Sequence, residues 1–140
     1  MRNFLLFSFF LFYSNFFSQS LKVNVDWNGE LSYSVGKKIF KIPNTKNLEI
    51  NYSYGEYIKF VKQWEEDLII DESSVRISNI QYSNIDINSY SGLQNIKFDN
   101  QPTISFNSSI SKNKIFSFLE FDTIFLSNNG FKKIESFDIS

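Results

Sequence analysis

Cysteine, histidine and alanine are all missing from this 140-residue chain. Without cysteine there is no disulfide framework, no thiol nucleophile, no thiolate metal site and no cysteine on which a lipoprotein anchor could be built. Without histidine there is no Ser-His or Cys-His pair, and the commonest zinc ligand is absent. The chain by itself is therefore not an ordinary hydrolase. A basic stripe is lacking too. The 14 basic and 15 acidic residues nearly cancel, and no run of one sign stands out as a nucleic-acid surface or a charged tail. The missing alanine, with Ile, Asn, Lys, Phe and Ser crowding the sequence, is what the codons of an AT-rich genome favour. That bias accounts for part of the 19% aromatic content without any function.

What is present begins with an export signal. Residues 1–20, MRNFLLFSFFLFYSNFFSQS, place Arg2 ahead of an apolar run from Phe4 to Phe17 and close on the small-x-small step Ser18-Gln19-Ser20. The run is too short to span a bilayer as a helix of ~20 apolar residues, and Ser8, Ser14 and Asn15 interrupt it. Cleavage between Ser18 and Ser20 would leave residues 21–140 to fold outside the cytoplasm, in the periplasm or at the outer-membrane surface. About 120 residues suffice for one domain with a real core.

In that remainder the dominant hydrophobic period is two. Leu21, Val23, Val25 and Trp27 alternate with polar residues, Asn28-Gly29 follows as a type I′ hairpin turn, and Leu31, Tyr33 and Val35 return. Lys38 to Ile42 reads as a short strand stopped by Pro43. Leu48, Ile50, Tyr52 and Tyr54 alternate again. Tyr57 to Leu68 fits a helical face or a strand, and its β-branched and aromatic content favours the strand. Val75 to Tyr82 changes parity near Ser78-Asn79, the mark of a bulge. Ser83 to Asn100 is polar and carries Gly92, so it reads as a long surface loop. Ile104, Phe106 and Ile110 mark another strand, and Ile115 to Leu126 suits one central strand covered on both faces. After the turn Asn128-Asn129-Gly130, Phe131 to Ile139 begins a last strand. These elements predict an all-β domain, an antiparallel β-sandwich or open barrel. The final strand has no turn or polar tail behind it, so the domain over 21–140 is expected to be incomplete at its C-terminal end.

The local motifs carry little chemistry. Glu65-Glu66-Asp67 with Asp71 and Glu72 is the only carboxylate cluster, and its spacing matches no calcium loop. Gly36-Lys37-Lys38 lacks the rest of a phosphate loop. Asn51-Tyr52-Ser53 and Asn107-Ser108-Ser109 match the glycosylation triplet at a frequency chance explains. Trp27, Trp64 and the tyrosines could line a groove, but sheet aromatics more often fill a core or pair across strands. No catalytic, cofactor-binding or metal residue is assigned, and no cofactor is expected.

Taken in order, several pieces resemble the N-terminal region of PorU-type sortases of the Bacteroidota type IX secretion system. They are the leader ending in Ser18-Gln19, Val25-Asp26-Trp27-Asn28-Gly29, Lys41-Ile42-Pro43 and Phe60-Val61-Lys62-Gln63-Trp64. Asp71-Glu72-Ser73-Ser74-Val75 on to Tyr82 continues the series, and Gly130-Phe131-Lys132-Lys133-Ile134-Glu135-Ser136-Phe137 closes it. The family implies an exported, gingipain-related cysteine peptidase that removes C-terminal sorting domains from cargo and joins the cargo to a surface lipopolysaccharide. Its catalytic His/Cys pair has no counterpart here, so no catalytic residue carries over. The expected role is that of a noncatalytic N-terminal β-domain whose partners are a downstream catalytic module or other secretion components. The alternative is a free-standing exported β-sandwich that binds a surface glycan or protein. An enzyme complete in these residues would have to work with carboxylates alone.

Overall fold

The computed structural model describes residues 20–140, so the expected leader over residues 1–20 lies, but for Ser20, outside the described residues. The chain is all-β, as the period-two pattern predicts. Ten strands run in order: β1 (Leu21–Asn24), β2 (Trp27–Val35), β3 (Lys38–Thr45), β4 (Glu49–Ser53), β5 (Tyr57–Glu66), β6 (Ile77–Asn84), β7 (Ile104–Ser111), β8 (Lys114–Phe121), β9 (Ile124–Ser127) and β10 (Gly130–Ile139). One sheet orders β1-β10-β6 with β9 also on β10, a second orders β4-β5-β8-β7, and β2-β3 form a separate two-stranded ribbon. Every pairing is antiparallel.

The two larger sheets pack face to face. Phe121 of β8 meets Phe137 of β10 edge-on, with ring centroids 5.1 Å apart, and Phe60 of β5 adjoins Phe121 at 6.3 Å. Val23, Ile42, Leu119, Ile134 and Leu93 complete a core without solvent exposure. Burying a side chain of this size contributes roughly 1.5–3 kcal/mol, and these positions hold the sandwich shut.

Several local expectations hold. Tyr57–Glu66 is a strand, and Asn128-Asn129 forms the two-residue turn from β9 to β10. The bulge near Ser78-Asn79 is present: Asn79 adopts φ 52°, and the β6–β10 register slips between Ser136 and Asp138. A second slip, between Ile134 and Ser136, inserts a residue on the opposite strand, so the two bulges cancel.

The opening hairpin is not where the turn signal puts it. β1 pairs with β10, and Val25 continues that edge by donating its N–H to Glu135. The chain then bends at Asp26, where the Trp27 N–H reaches back to the Val25 carbonyl at 3.0 Å. Asn47 clamps the bend, accepting from the Asp26 N–H and donating to the Asn24 carbonyl. Asn28-Gly29 lies inside β2, and Gly29 spends its positive φ of 67° on a bulge between Trp27 and Glu30. The tight turns fall elsewhere. Gly36-Lys37 joins β2 to β3, and Lys112-Asn113, both with positive φ, join β7 to β8 in the pattern of a type I′ turn.

Four further corrections share a cause, which is that neighbours outvote local signals. Pro43 does not stop β3. Its backbone belongs to the outward-facing parity of Lys41, so its missing N–H removes no bond to β2. Ile115 to Leu126 is two strands. Asp122 donates its N–H to the Thr103 carbonyl, whereas the Thr123 carbonyl accepts from Ile134, so the chain changes sheets between these residues. The segment Ser83 to Asn100 is not a plain surface loop. It opens within β6, forms one 3-10 turn over Ile87–Ser89, and sinks Leu93 into the core. Val75 caps the short 3-10 turn Glu72–Ser74 and does not begin β6. The last strand is the most enclosed of its sheet, with β1 and β9 on one side and β6 on the other.

Candidate functional site

Strand alternation places Lys62, Trp64 and Glu66 on the same face of β5 as the buried Phe60. Toward the β5 C-terminus the opposing sheet no longer covers this face, and a cleft of about 620 Å³ opens there. Trp64, Phe106, Val75 and Ile139 line it, with Lys62 and Glu66 also on its wall. Trp64 and Phe106 stand 42 positions apart in sequence and meet at 5.9 Å between ring centroids, because β8 bridges β5 and β7. The Trp64 indole N–H donates to the Glu66 carboxylate, which fixes the indole plane. Ser117 and Ser108 are cross-strand partners in the row of Trp64, and their buried hydroxyls have no protein partner.

The carboxylate cluster does not converge. Glu65 pairs with Lys114 at 2.7 Å, and Glu66 holds Trp64. Asp71 caps the turn at Ser73, and those hydrogen bonds hold its carboxyl below the ordinary aspartate range. Glu72 accepts the Ser108 N–H at 2.6 Å. Among the described residues no group of three acidic side chains could hold a metal ion. Gly36-Lys37-Lys38 is the β2–β3 turn and its first strand residue, and Asn51 and Asn107 are exposed on β4 and β7.

A second charged group, unmarked by any motif, lies where β8 crosses over to β9. Lys59 pairs with Glu120 at 2.9 Å beside Asp122, at a small hollow of about 230 Å³ that Asp99 and Thr103 also line. Partial burial pushes the Asp122 carboxyl above its ordinary value; Lys59 opposes this, and Asp99 and Glu120 add to it. The Lys59 ammonium is held above its usual range by the hydrogen bond to Glu120.

Aromatic residues mostly pair, as sheet packing favours. Trp27 stands edge-on to Phe60 at 5.4 Å and donates its indole N–H to the Ile134 carbonyl, which ties the ribbon's base to both sheets. Tyr33 meets Tyr52 at 4.8 Å, and Phe40 meets Tyr54 at 4.3 Å. The arrangement can bind, through an aromatic cleft or a ribbon edge; the hydroxyl–carboxylate pairs among the described residues, such as Ser73 with Asp71 and Ser83 with Glu135, lie apart from the cleft lining. No protein family, curated protein or solved structure matches the chain.

Proposed function

We propose that this chain is the noncatalytic N-terminal β-domain of an exported type IX secretion sortase, one that supplies contact surface to a catalytic module carried elsewhere. The observation that carries the reading is the lack of any histidine or cysteine in 140 residues, together with acidic side chains spent on capping and pairing. The strand-and-turn pieces that resemble the sortase N-terminal region supply the family. In this reading the domain covers the catalytic module or meets the translocon at the outer membrane. Sequencing the reading frame beyond codon 140 tests it. A downstream module with a His-then-Cys pair supports the reading, and a stop codon followed by unrelated sequence overturns it.

The cleft at Trp64 and Phe106 favours a second reading, a free-standing exported sandwich that binds a surface glycan. An aromatic face flanked by a carboxylate and an ammonium suits a sugar ring with its hydroxyls. Titrating purified surface polysaccharide against tryptophan fluorescence tests it. Saturable quenching that disappears in Trp64→Phe supports binding at the cleft, and no change in the parent protein rules it out.

A further inference from the structure

Sheet edges expose unpaired N–H and C=O groups, and natural domains blunt them. Most edges of this molecule are blunted. β1 and β9 are four residues long, and the Leu126 N–H of β9 is taken by the Asp99 carbonyl. β7 has its Ser108 N–H occupied by Glu72, and β6 carries the bulge at Asn79. The outer edge of β3 is sealed by Ser91 and Gly92, which accept from and donate to Lys41. The outer edge of β2 differs. Past the bulge at Gly29 it runs regularly from Glu30 to Val35 without proline, its only charged residue is Glu30, and that carboxylate is held by Lys41 at 2.8 Å. Among the described residues no strand pairs with it.

The register decides which groups this edge presents. A two-residue turn makes Val35 and Lys38 a hydrogen-bonded pair, so Val35, Tyr33 and Leu31 bond inward to β3. Ser32 and Ser34 then point their backbone groups outward. Lys41, opposite Ser32, checks this parity, because its own N–H and C=O bond outward to Ser91 and Gly92.

We propose that this edge pairs with the same edge of a second copy, antiparallel, about a two-fold axis through Tyr33. The sequence Leu31-Ser32-Tyr33-Ser34-Val35 is a palindrome of polarity, and only such a segment matches itself in that arrangement. Leu31 falls opposite Val35 of the second copy, Tyr33 opposite Tyr33, and Ser32 opposite Ser34. The outward N–H and C=O groups of Ser32 and Ser34 meet as hydrogen-bonded pairs. Leu31, Tyr33 and Val35, each 38–41% exposed, join their counterparts into one apolar stripe. No like charges face each other across it. The contact is isologous and closes at two copies. It stands whether or not the chain belongs to a sortase.

Sedimentation velocity on the purified protein tests the inference. The contact is short, at the small end of interfaces (below ~1,200 Å² in total), so a concentration-dependent monomer–dimer equilibrium is expected. Ser32→Lys with Ser34→Lys sets lysines opposite each other twice across the two-fold axis and should weaken the dimer about tenfold. Ser32→Lys with Ser34→Glu sets each lysine opposite a glutamate in this register alone, and should restore association. Both serines are exposed; Lys41 faces position 32 equally in both double variants, so that cost is common to them, and circular dichroism and the melting curve should stay close to those of the parent. If they do not, Ser34→Pro, which removes one outward N–H and no bond to β3, replaces the double variant and should abolish the dimer. A protein that stays monomeric up to ~1 mM overturns the proposal. So does a lysine pair or proline without effect, or a Lys/Glu pair that fails to rescue.

Discussion

The sandwich centre and β2, the outer strand of the ribbon, are written in the same alternating pattern, yet they bury opposite amounts of it. In β8 and β10, Leu119, Phe121, Ile134 and Phe137 are sealed between two sheets, whereas Leu31, Tyr33 and Val35 of β2 stay partly open to solvent. The ribbon meets the body through β3, whose Ile42 is fully buried and whose Lys41 backbone bonds to Ser91 and Gly92. It also meets it through Trp27, which bridges Phe60 and the Ile134 carbonyl, and through the Tyr33–Tyr52 and Phe40–Tyr54 pairs. Its open strand is β2. Alternation therefore reports that a strand has an apolar face. It does not report whether that face meets a second sheet. The centre, with β3 joined to it, carries the stability, and β2 carries surface that remains available to a partner.

The contrast breaks most visibly at Phe121. It contacts both Phe60 and Phe137, so Phe121→Ala removes the ring that joins the sheets and leaves a cavity. A loss of about 3–5 kcal/mol in unfolding free energy is expected from urea titration. A loss below ~1 kcal/mol would mean that the two sheets do not share one core.

Gly92 tests whether the segment after β6 belongs with the centre or the surface. A Cβ built there would stand 2.5 Å from Ile42 Cγ2, 2.9 Å from the Tyr52 hydroxyl and 3.0 Å from the Lys41 carbonyl oxygen. The Lys41 backbone cannot retreat without breaking its bond from the Gly92 N–H. Gly92→Ala is expected to cost about 1–3 kcal/mol by overpacking, read from the same titration. A neutral result would return the segment to the surface.

Much of this architecture is legible along the chain, and the failures have physical sources. β4, β5, β7 and β10 follow the alternation, because each packs one face on the opposing sheet. The turn at Asn28-Gly29 misleads because positive φ serves a bulge as well as a hairpin, and only the pairing partner decides between them. Lys112-Asn113 escapes notice because neither residue is glycine, yet both adopt positive φ. Ile115 to Leu126 reads as one strand because Asp122-Thr123 breaks it with two polar residues and no glycine or proline. The cleft is legible only in part. Trp64 stands out by type, but its pairing with Phe106 depends on the order β5-β8-β7, which no local signal carries.

Substituting threonine for valine poses the same chemical question to both regions. Val23 is fully buried opposite Phe137. Val23→Thr keeps the branched shape and places a hydroxyl where no partner is at hand, and a cost of about 1–3 kcal/mol is expected. A shift of this size in the urea midpoint with an unchanged slope would mark a pure loss of stability.

Asp122 sharpens the comparison through pH, because it lies where the chain leaves one sheet for the other. Burial raises its folded-state value above the unfolded one, with Asp99 and Glu120 reinforcing and Lys59 and Thr103 opposing. The native state then binds more protons than the unfolded state between the unfolded and the raised value. The contribution is fully present below the ordinary aspartate range and is lost as pH rises through the folded value. Asp71, held low, has the opposite sign and loses its contribution as pH falls. Asp122→Asn should therefore raise the melting temperature relative to the parent more at pH 7 than at pH 3. An equal difference at both values would remove Asp122 from the pH response.

The smallest effect is expected on the open strand of the ribbon. Val35 is 41% exposed, at the end of β2 beside the Gly36-Lys37 turn. Val35→Thr keeps a β-branched side chain that suits a strand, and water satisfies the new hydroxyl. A change within ~0.5 kcal/mol is expected. The ratio of this cost to that of Val23→Thr measures how far β2 stands outside the core. Parity between the two would mean that the β2 face is covered in solution. If that cover is the second copy, the penalty at Val35 should grow with protein concentration while the penalty at Val23 stays constant.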